Sequence, residues 1–248
     1  MSIIDLKGIY TSYEGGDKPV IKDLSLDVDR GEYVVIGGPN SAGKTTLLES
    51  INGLVKITHG SATVCGLDVS RYPNEIRKRV GYVIQNFSFD PFTPFTVEQV
   101  VMMGRYGRLG LLKRPSRSDY DAVQRAIKLV GIEDLVNKTI GTLSGGQQQK
   151  TIIAHNIAKE PEVMMLDEPF SNLDFHAREY LQGVLKDIVK KGIPLLMVAH
   201  AFDGLPDIPI HLVVMNQGKI NFDRTCRAEE VEDIIRLECG VMGKCSSH

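Results

Sequence analysis

The 248-residue chain is short of several things, and each shortage excludes a class of protein. No apolar run approaches the ~20 residues that a membrane-spanning helix needs; the longest, "YVVIGG" and "PLLMVA", are strand-sized. Neither charge is in excess: 29 basic against 31 acidic residues leave a net charge of −2, too little to draw nucleic acid. Cysteine is scarce, and none of Cys65, Cys226, Cys239 and Cys245 forms a C-x-x-C pair, which argues against a zinc ribbon or a dithiol redox motif. Cys239, Cys245 and His248 gather at the tail, but their irregular spacing reads as reduced thiols on a loose terminus. Internal repeats, low-complexity tracts and sustained heptads are missing too, so no long coiled coil is expected. With no charged-then-apolar leader before Ile3, we expect a soluble, cytoplasmic chain.

What is present is 42% hydrophobic residues in strand-like and helical patterns, enough for a sizeable core. Ile4, Leu6 and Ile9, then Leu24, Leu26 and Val28, alternate as strand residues do, with a turn signal at Gly15-Gly16 and Pro19 between them. "YVVIGG" (33–38), "RVGYVIQ" (79–85), "VMMLDEP" (163–169), "PLLMVAH" (194–200) and "HLVVMNQGKI" (211–220) are further strand candidates. The stretches at 79–85, 163–169 and 194–200 turn polar only at their C-terminal ends, as buried parallel strands do. Between Gln85 and Gly141 the pattern becomes helical. Thr96 and Gln99 form a capping box, and Ala122, Val123, Ala126, Ile127 and Val130 share one helical face that Gly131 ends. "AEEVEDIIRLEC" suits a terminal helix.

Directly after the strand at 33–38 comes "GPNSAGKT", a match to G-x-x-x-x-G-K-[ST]. The small residues of Gly38, Pro39, Asn40, Ser41, Ala42 and Gly43 let successive backbone N–H groups converge on phosphate oxygens. The following helix adds its dipole, and Lys44 brings charge to the β and γ phosphates. Thr45 offers its hydroxyl to Mg²⁺, with Thr46 beside it in the same nucleotide-binding set. At the end of "VMMLDEP", Asp167 suits the Mg²⁺ shell and Glu168 the attacking water as general base. We therefore expect ATP and Mg²⁺ as ligands. The fold expected is α/β, a P-loop NTPase core with an N-terminal antiparallel β subdomain and an inserted α-helical subdomain. Its parts would be 1–85, 86–158 and 159–248.

"TLSGGQQQK" (142–150) spends a serine, two glycines and three glutamines on a helix start. It makes sense as a second anion site: Ser144 caps the helix while Gly145 and Gly146 leave its N–H groups bare, ready for a γ-phosphate held by another chain. With these elements in order from Tyr13 to His200, the chain resembles the nucleotide-binding subunit of an ATP-binding cassette (ABC) transporter. That resemblance implies a head-to-tail dimer, with a second copy or a homologous ATPase subunit, enclosing two ATP molecules, with the P-loop of one subunit facing Ser144, Gly145, Gly146 and Gln147 of the other. It implies that Tyr13 stacks on adenine, that Gln85 senses Mg²⁺ and the attacking water, and that Asp174 in "SNLD" (171–174) lies at the dimer contact. By the same resemblance, His200 contacts the γ-phosphate.

Four positions depart from the family pattern. Ser41 replaces a glycine and carries ~1–2 kcal/mol of strain if its φ is positive. Lys150 replaces an arginine and loses a bidentate fork. Ala201 follows His200 where an acid is common, and Asn172 is unusual in the crossing loop.

"TVEQVVMMGRYGRLGLLKRPSRSDYDAV" is similar to the corresponding segment of manganese- and zinc-type importers, and close to that of iron–siderophore and cobalamin importers. The resemblance implies an integral membrane permease received on Phe87 to Leu112, with Arg105 and Arg108 expected at that contact. It also implies an extracytoplasmic substrate-binding protein acting indirectly, and a place on the inner face of the cell membrane. Import of a divalent metal ion is the reading taken, with a soluble ATPase for iron–sulfur cluster assembly as its rival. Since the metal would cross through the permease, no ligand cluster is expected in this chain.

Overall fold

The computed structural model describes residues 2–13, 18–85, 89–110, 113–170, 173–199, 202 and 204–239. The turn signal at Gly15-Gly16, Ser171, Asn172, His200, Ala201, Cys245 and His248 lie outside the described residues.

The first part runs β1 (Ile4–Thr11), β2 (Ile21–Val28), β3 (Tyr33–Gly37), α1 (Lys44–Ile51), β4 (Ile57–Val64), β5 (Leu67–Asp68), α2 (Pro73–Arg79) and β6 (Val80–Val83). A helical part follows with α3 (Val97–Leu109), α4 (Arg117–Val130) and α5 (Gly145–Ala158). The chain then returns through β7 (Val163–Asp167), α6 (Phe175–Lys190), β8 (Leu195–Val198), β9 (Ile210–Asn216), β10 (Lys219–Cys226) and α7 (Val231–Glu238).

Two sheets result, one of order β2-β1-β4-β5 and one of order β10-β9-β3-β8-β7-β6. The first is antiparallel throughout. In the second, β9, β3, β8, β7 and β6 pair in parallel, and β10 closes one edge antiparallel. Side chains alternate across a strand, so each strand of the larger sheet feeds two cores. Val34, Ile36, Met165, Leu196 and Val213 pack with the small sheet and α1. Val35, Met164, Leu166, Met197 and Leu212 pack on the other face, with α3 to α6. That double coverage explains why these strands read as unbroken apolar runs.

The expected helix signals hold. Thr96 Oγ1 accepts from the Gln99 N–H at 3.3 Å while Gln99 Oε1 accepts from the Thr96 N–H at 2.9 Å. The five apolar residues foreseen on one face of α4 are all buried, and Gly131 ends the helix at φ 67°. Over 211–220 the expectation of one strand is corrected. Gln217 and Gly218, at φ 50° and 82°, turn the chain left-handed and split it into β9 and β10.

Arg105 is also corrected. It is 8% exposed and therefore no permease-facing surface residue. Its Nε donates to Asp119 Oδ1 at 2.9 Å, and its Nη1 to the Ala158 carbonyl and to Glu160 Oε2, each at 2.8 Å. One guanidinium thus ties α3 to α4 and to the end of α5. Arg105→Glu would set a second carboxylate against buried Asp119, and the expected loss of unfolding free energy is about 3–5 kcal/mol in urea titrations. An unfolding midpoint equal to wild type would contradict the tie.

His211 on β9 is held between two carboxylates, Nδ1 at 2.9 Å from Glu32 and Nε2 at 2.6 Å from Asp223. Carboxylates only accept, so a ring protonated on both nitrogens satisfies both contacts. Burial draws the imidazole pKa down, but the bonds to Asp223 and Glu32 outweigh it and raise the pKa above its ordinary value. A raised folded pKa gives stability that is complete below the unfolded value of about 6.5 and fades as pH climbs through the folded value. The stability difference between wild type and His211→Gln, measured by urea unfolding, should therefore be greatest below about pH 6.5 and shrink above it. A difference that grows with pH would contradict this.

Candidate functional site

The phosphate loop occupies the gap between buried β3 and α1, so its backbone is anchored at both ends. Lys44, 6% exposed, turns its Nζ back to donate to the Gly38 and Pro39 carbonyls, both at 2.9 Å. Burial lowers the Lys44 pKa, while Glu168 and Asp167 pull it the other way. The ammonium is thus held inside the loop, against the oxygens that a bound phosphate would neighbour. Ser41 adopts φ 65°, so the strain that sequence attached to this position is real, of order 1–2 kcal/mol.

Thr45 Oγ1 donates to Asp167 Oδ2 at 2.7 Å, joining the start of α1 to the end of β7. Asp167 is fully buried, and its Oδ1 has no hydrogen-bond partner among the described residues. Burial raises its pKa, with neighbouring Glu168 adding to the effect and the Thr45 bond opposing it. A buried carboxylate with one orphaned oxygen, beside a threonine hydroxyl, is a donor set that fits a hard divalent cation. The charge of Mg²⁺ would favour the ionised form that burial disfavours.

Glu168 continues the β7 backbone, its N–H donating to the Val198 carbonyl at 3.0 Å, but at φ 50°. That left-handed turn redirects the chain at the residue expected to act as base. A cavity of about 550 Å³ brings Glu168 together with Asn40, Ser41, Lys44, Thr45 and Gln85. Ala42, Gly43 and Thr46 line it as well. Tyr13 stands beside α1, its hydroxyl 2.7 Å from Glu49 Oε2 and 3.0 Å from Thr46 Oγ1, with the residue about half exposed. It does not line that cavity.

A second cavity, about 640 Å³, holds Ser144, Gly145, Gly146, Gln147 and Asp174 and shares no residue with the first. Ser144 caps α5, its Oγ accepting from the Gln147 N–H at 3.4 Å while Gln147 Oε1 accepts from the Ser144 N–H at 3.1 Å. Gly145 and Gly146 open the first turn, where N–H groups have no acceptor four residues back. Asp174 caps α6 through Oδ1, which accepts from the Ala177 N–H at 2.8 Å. Lys150, whose Nζ lies 5.4 Å from the centre of the Tyr180 ring, and Leu173 line the same cavity. Sequence reasoning did not place Leu173 there, although its neighbour Asp174 was a pointer. A larger cavity of about 920 Å³ between α4 and α6 carries none of the candidate groups.

The ABC transporter family model matches residues 21–171. A manganese transport system ATP-binding protein of Bacillus subtilis is 35% identical over 231 residues, covering 93% of this chain and 90% of that protein. A high-affinity zinc uptake system ATP-binding protein of the same species is 37% identical over 202 residues, covering 81% and 85%. The ferric enterobactin transport ATP-binding protein of Escherichia coli is 32% identical, covering 97% and 90%. Among solved structures, the ADP conformation of an ABC transporter's ATP-binding cassette superposes with a TM-score of 0.81 at 21% identity, over 98% of this chain and all of that one. A dimeric cassette in a post-hydrolysis state, bound to ADP and Pi, gives 0.76 at 25% identity, over 90% and 99%.

Proposed function

This chain belongs to the ABC transporter family and is an ATPase of that family, and from that premise we propose that two copies pair head to tail around two Mg-ATP. In that pair, each P-loop meets the neighbour's α5 start. The observation that carries the reading is the separation of the two phosphate-directed sets. Lys44, Thr45, Gln85 and Glu168 surround one cavity, and Ser144 to Gln147 with Asp174 surround another. A helix start with uncovered donors fits an anion, and a two-fold pair supplies one from its partner's nucleotide.

Within each site the roles divide by chemistry. Lys44 leaves its two loop carbonyls for the β and γ phosphates, and the loop N–H groups hold the remaining oxygens. Thr45 and Asp167 would hold Mg²⁺, which supplies charge neutralisation when bound. Glu168 takes the proton of the attacking water, which Gln85 helps place. Tyr13 is the adenine-facing ring, freed by exchanging its bonds to Thr46 and Glu49 for contact with the base. His200, assigned to the γ-phosphate by resemblance, belongs to the same set.

The cycle drives import of a divalent metal ion through a membrane permease. Supporting this are the manganese and zinc relatives, whose names carry that cargo, and the similarity of the 96–123 segment. The chain places no helix across a membrane among its described residues. Reconstitution with a polytopic permease that co-purifies with it should give ATP-dependent uptake of manganese or zinc into proteoliposomes. Uptake of a ferric chelate instead would move the cargo to the group of the ferric enterobactin relative. Co-purification with a soluble scaffold and no polytopic partner would favour an assembly ATPase.

A further inference from the structure

The turn between β9 and β10 backs the phosphate loop, and none of the roles above uses it. The Gly218 N–H donates to the Ala42 carbonyl at 3.0 Å, and the Gly218 carbonyl accepts from the Lys22 N–H at 2.9 Å. One buried residue thus ties the middle of the loop to β2. The fit leaves no room for a side chain: a Cβ at Gly218 would lie 1.9 Å from the Val20 carbonyl oxygen. Its φ of 82° is left-handed, which glycine alone adopts freely. The end of β9 presses on the loop as well, since a Cβ at Gly38 would lie 2.2 Å from the Met215 carbonyl oxygen.

Ala42 directly follows Ser41, the serine held at φ 65°. A left-handed serine persists only where its surroundings fix it. Within the loop, the Ala42 N–H donates to the Pro39 carbonyl at 3.2 Å, and Lys44 grips the Gly38 and Pro39 carbonyls. The lysine bonds are the ones given up when phosphate arrives. Ser41 and Ala42 line the nucleotide cavity but Gly218 does not, so its bond to the Ala42 carbonyl can remain with nucleotide in place.

We propose that Gly218 is a positioning residue for ATP binding: by holding the carbonyl of Ala42 it keeps Ser41 left-handed and the loop N–H groups aimed at the phosphates. This rests on the reading of the loop as the phosphate site. The chain carries a serine where strain must be restrained, and the restraint comes from a turn far along the sequence.

The test is calorimetric titration of the full chain with ATP, comparing the Gly218→Ala step in two backgrounds, wild type and Ser41→Gly. The added methyl meets the Val20 carbonyl oxygen, shifts the turn and releases Ala42. In the wild-type background ATP affinity should fall roughly 5- to 30-fold, the strain of one left-handed serine expressed as affinity. In the Ser41→Gly background, where a left-handed residue carries no strain, the same step should cost less than about threefold. Equal losses in both backgrounds are what a purely structural role produces, and they overturn the proposal; so does unchanged affinity in Gly218→Ala. Should Gly218→Ala fail to fold, the double variant decides. A folded double with an ATP affinity within about threefold of Ser41→Gly supports the proposal, and a double that also fails to fold overturns it. If Lys44→Ala keeps wild-type ATP affinity, the phosphate-site reading fails and takes the proposal with it. Loss of ATP binding in Lys44→Ala beside equal Gly218→Ala losses sinks the proposal alone.

Discussion

Glu168→Gln should abolish most ATP turnover, by roughly 10²–10⁴-fold, while an ATP-bound dimer accumulates and elutes at twice the mass of the chain. The substitution is nearly isosteric and leaves untouched Thr45 and Asp167, bonded at 2.7 Å, the pair proposed to hold the cation. What it removes is the proton acceptor at the rim of the 550 Å³ cavity. It also removes one negative charge from a pocket that must admit an anionic triphosphate, which favours closure over opening. Chemistry falls while binding rises. A monomer at saturating ATP, or turnover within threefold of wild type, would count against Glu168 as base.

Ser144→Arg should cost nearly as much turnover, yet leave the nucleotide affinity of the isolated chain unchanged. The residue lines only the second cavity, so its replacement cannot touch phosphates held by its own Lys44. The lost cap costs the fold about 1 kcal/mol, far too little to explain a dead enzyme. The arginine side chain would fill the space that the partner's γ-phosphate needs and cover the Gly145 and Gly146 donors. Pairing sharpens this prediction. Mixing Ser144→Arg with Lys44→Ala, each inactive alone, should restore up to roughly a quarter of the wild-type rate, because half of the dimers are then mixed and each carries one sound site. Unchanged turnover in Ser144→Arg would reduce the glycine-rich segment to an ordinary helix cap.

Much of the site was legible because its chemistry dictates residue type at fixed spacing. The proposed phosphate site calls for small residues ahead of Lys44, the proposed cation for the acid closing β7, and a bare helix start for Ser144 before two glycines. The α4 face was legible for a simpler reason: its five apolar residues keep helical period and all are buried. Elsewhere local pattern was a poor guide. Strand β4 is mostly exposed between Ile57 and Ser61, so no alternation marks it, and it owes its strand form to pairing with β1. Helix α6 does show Leu181, Leu185 and Ile188 at helical spacing, a signal that the sequence reading passed over. Arg105 resembled surface because arginine usually is surface; only the convergence of Asp119, Ala158 and Glu160 from distant positions explains its burial.

The claim beneath all of this is that a lone chain holds only half of each catalytic pocket. ATPase activity per mole of chain, followed across a dilution series together with sedimentation, addresses it directly. The account predicts that specific activity falls toward zero as the dimer dissociates; a monomeric species that keeps full specific activity at every dilution would contradict it.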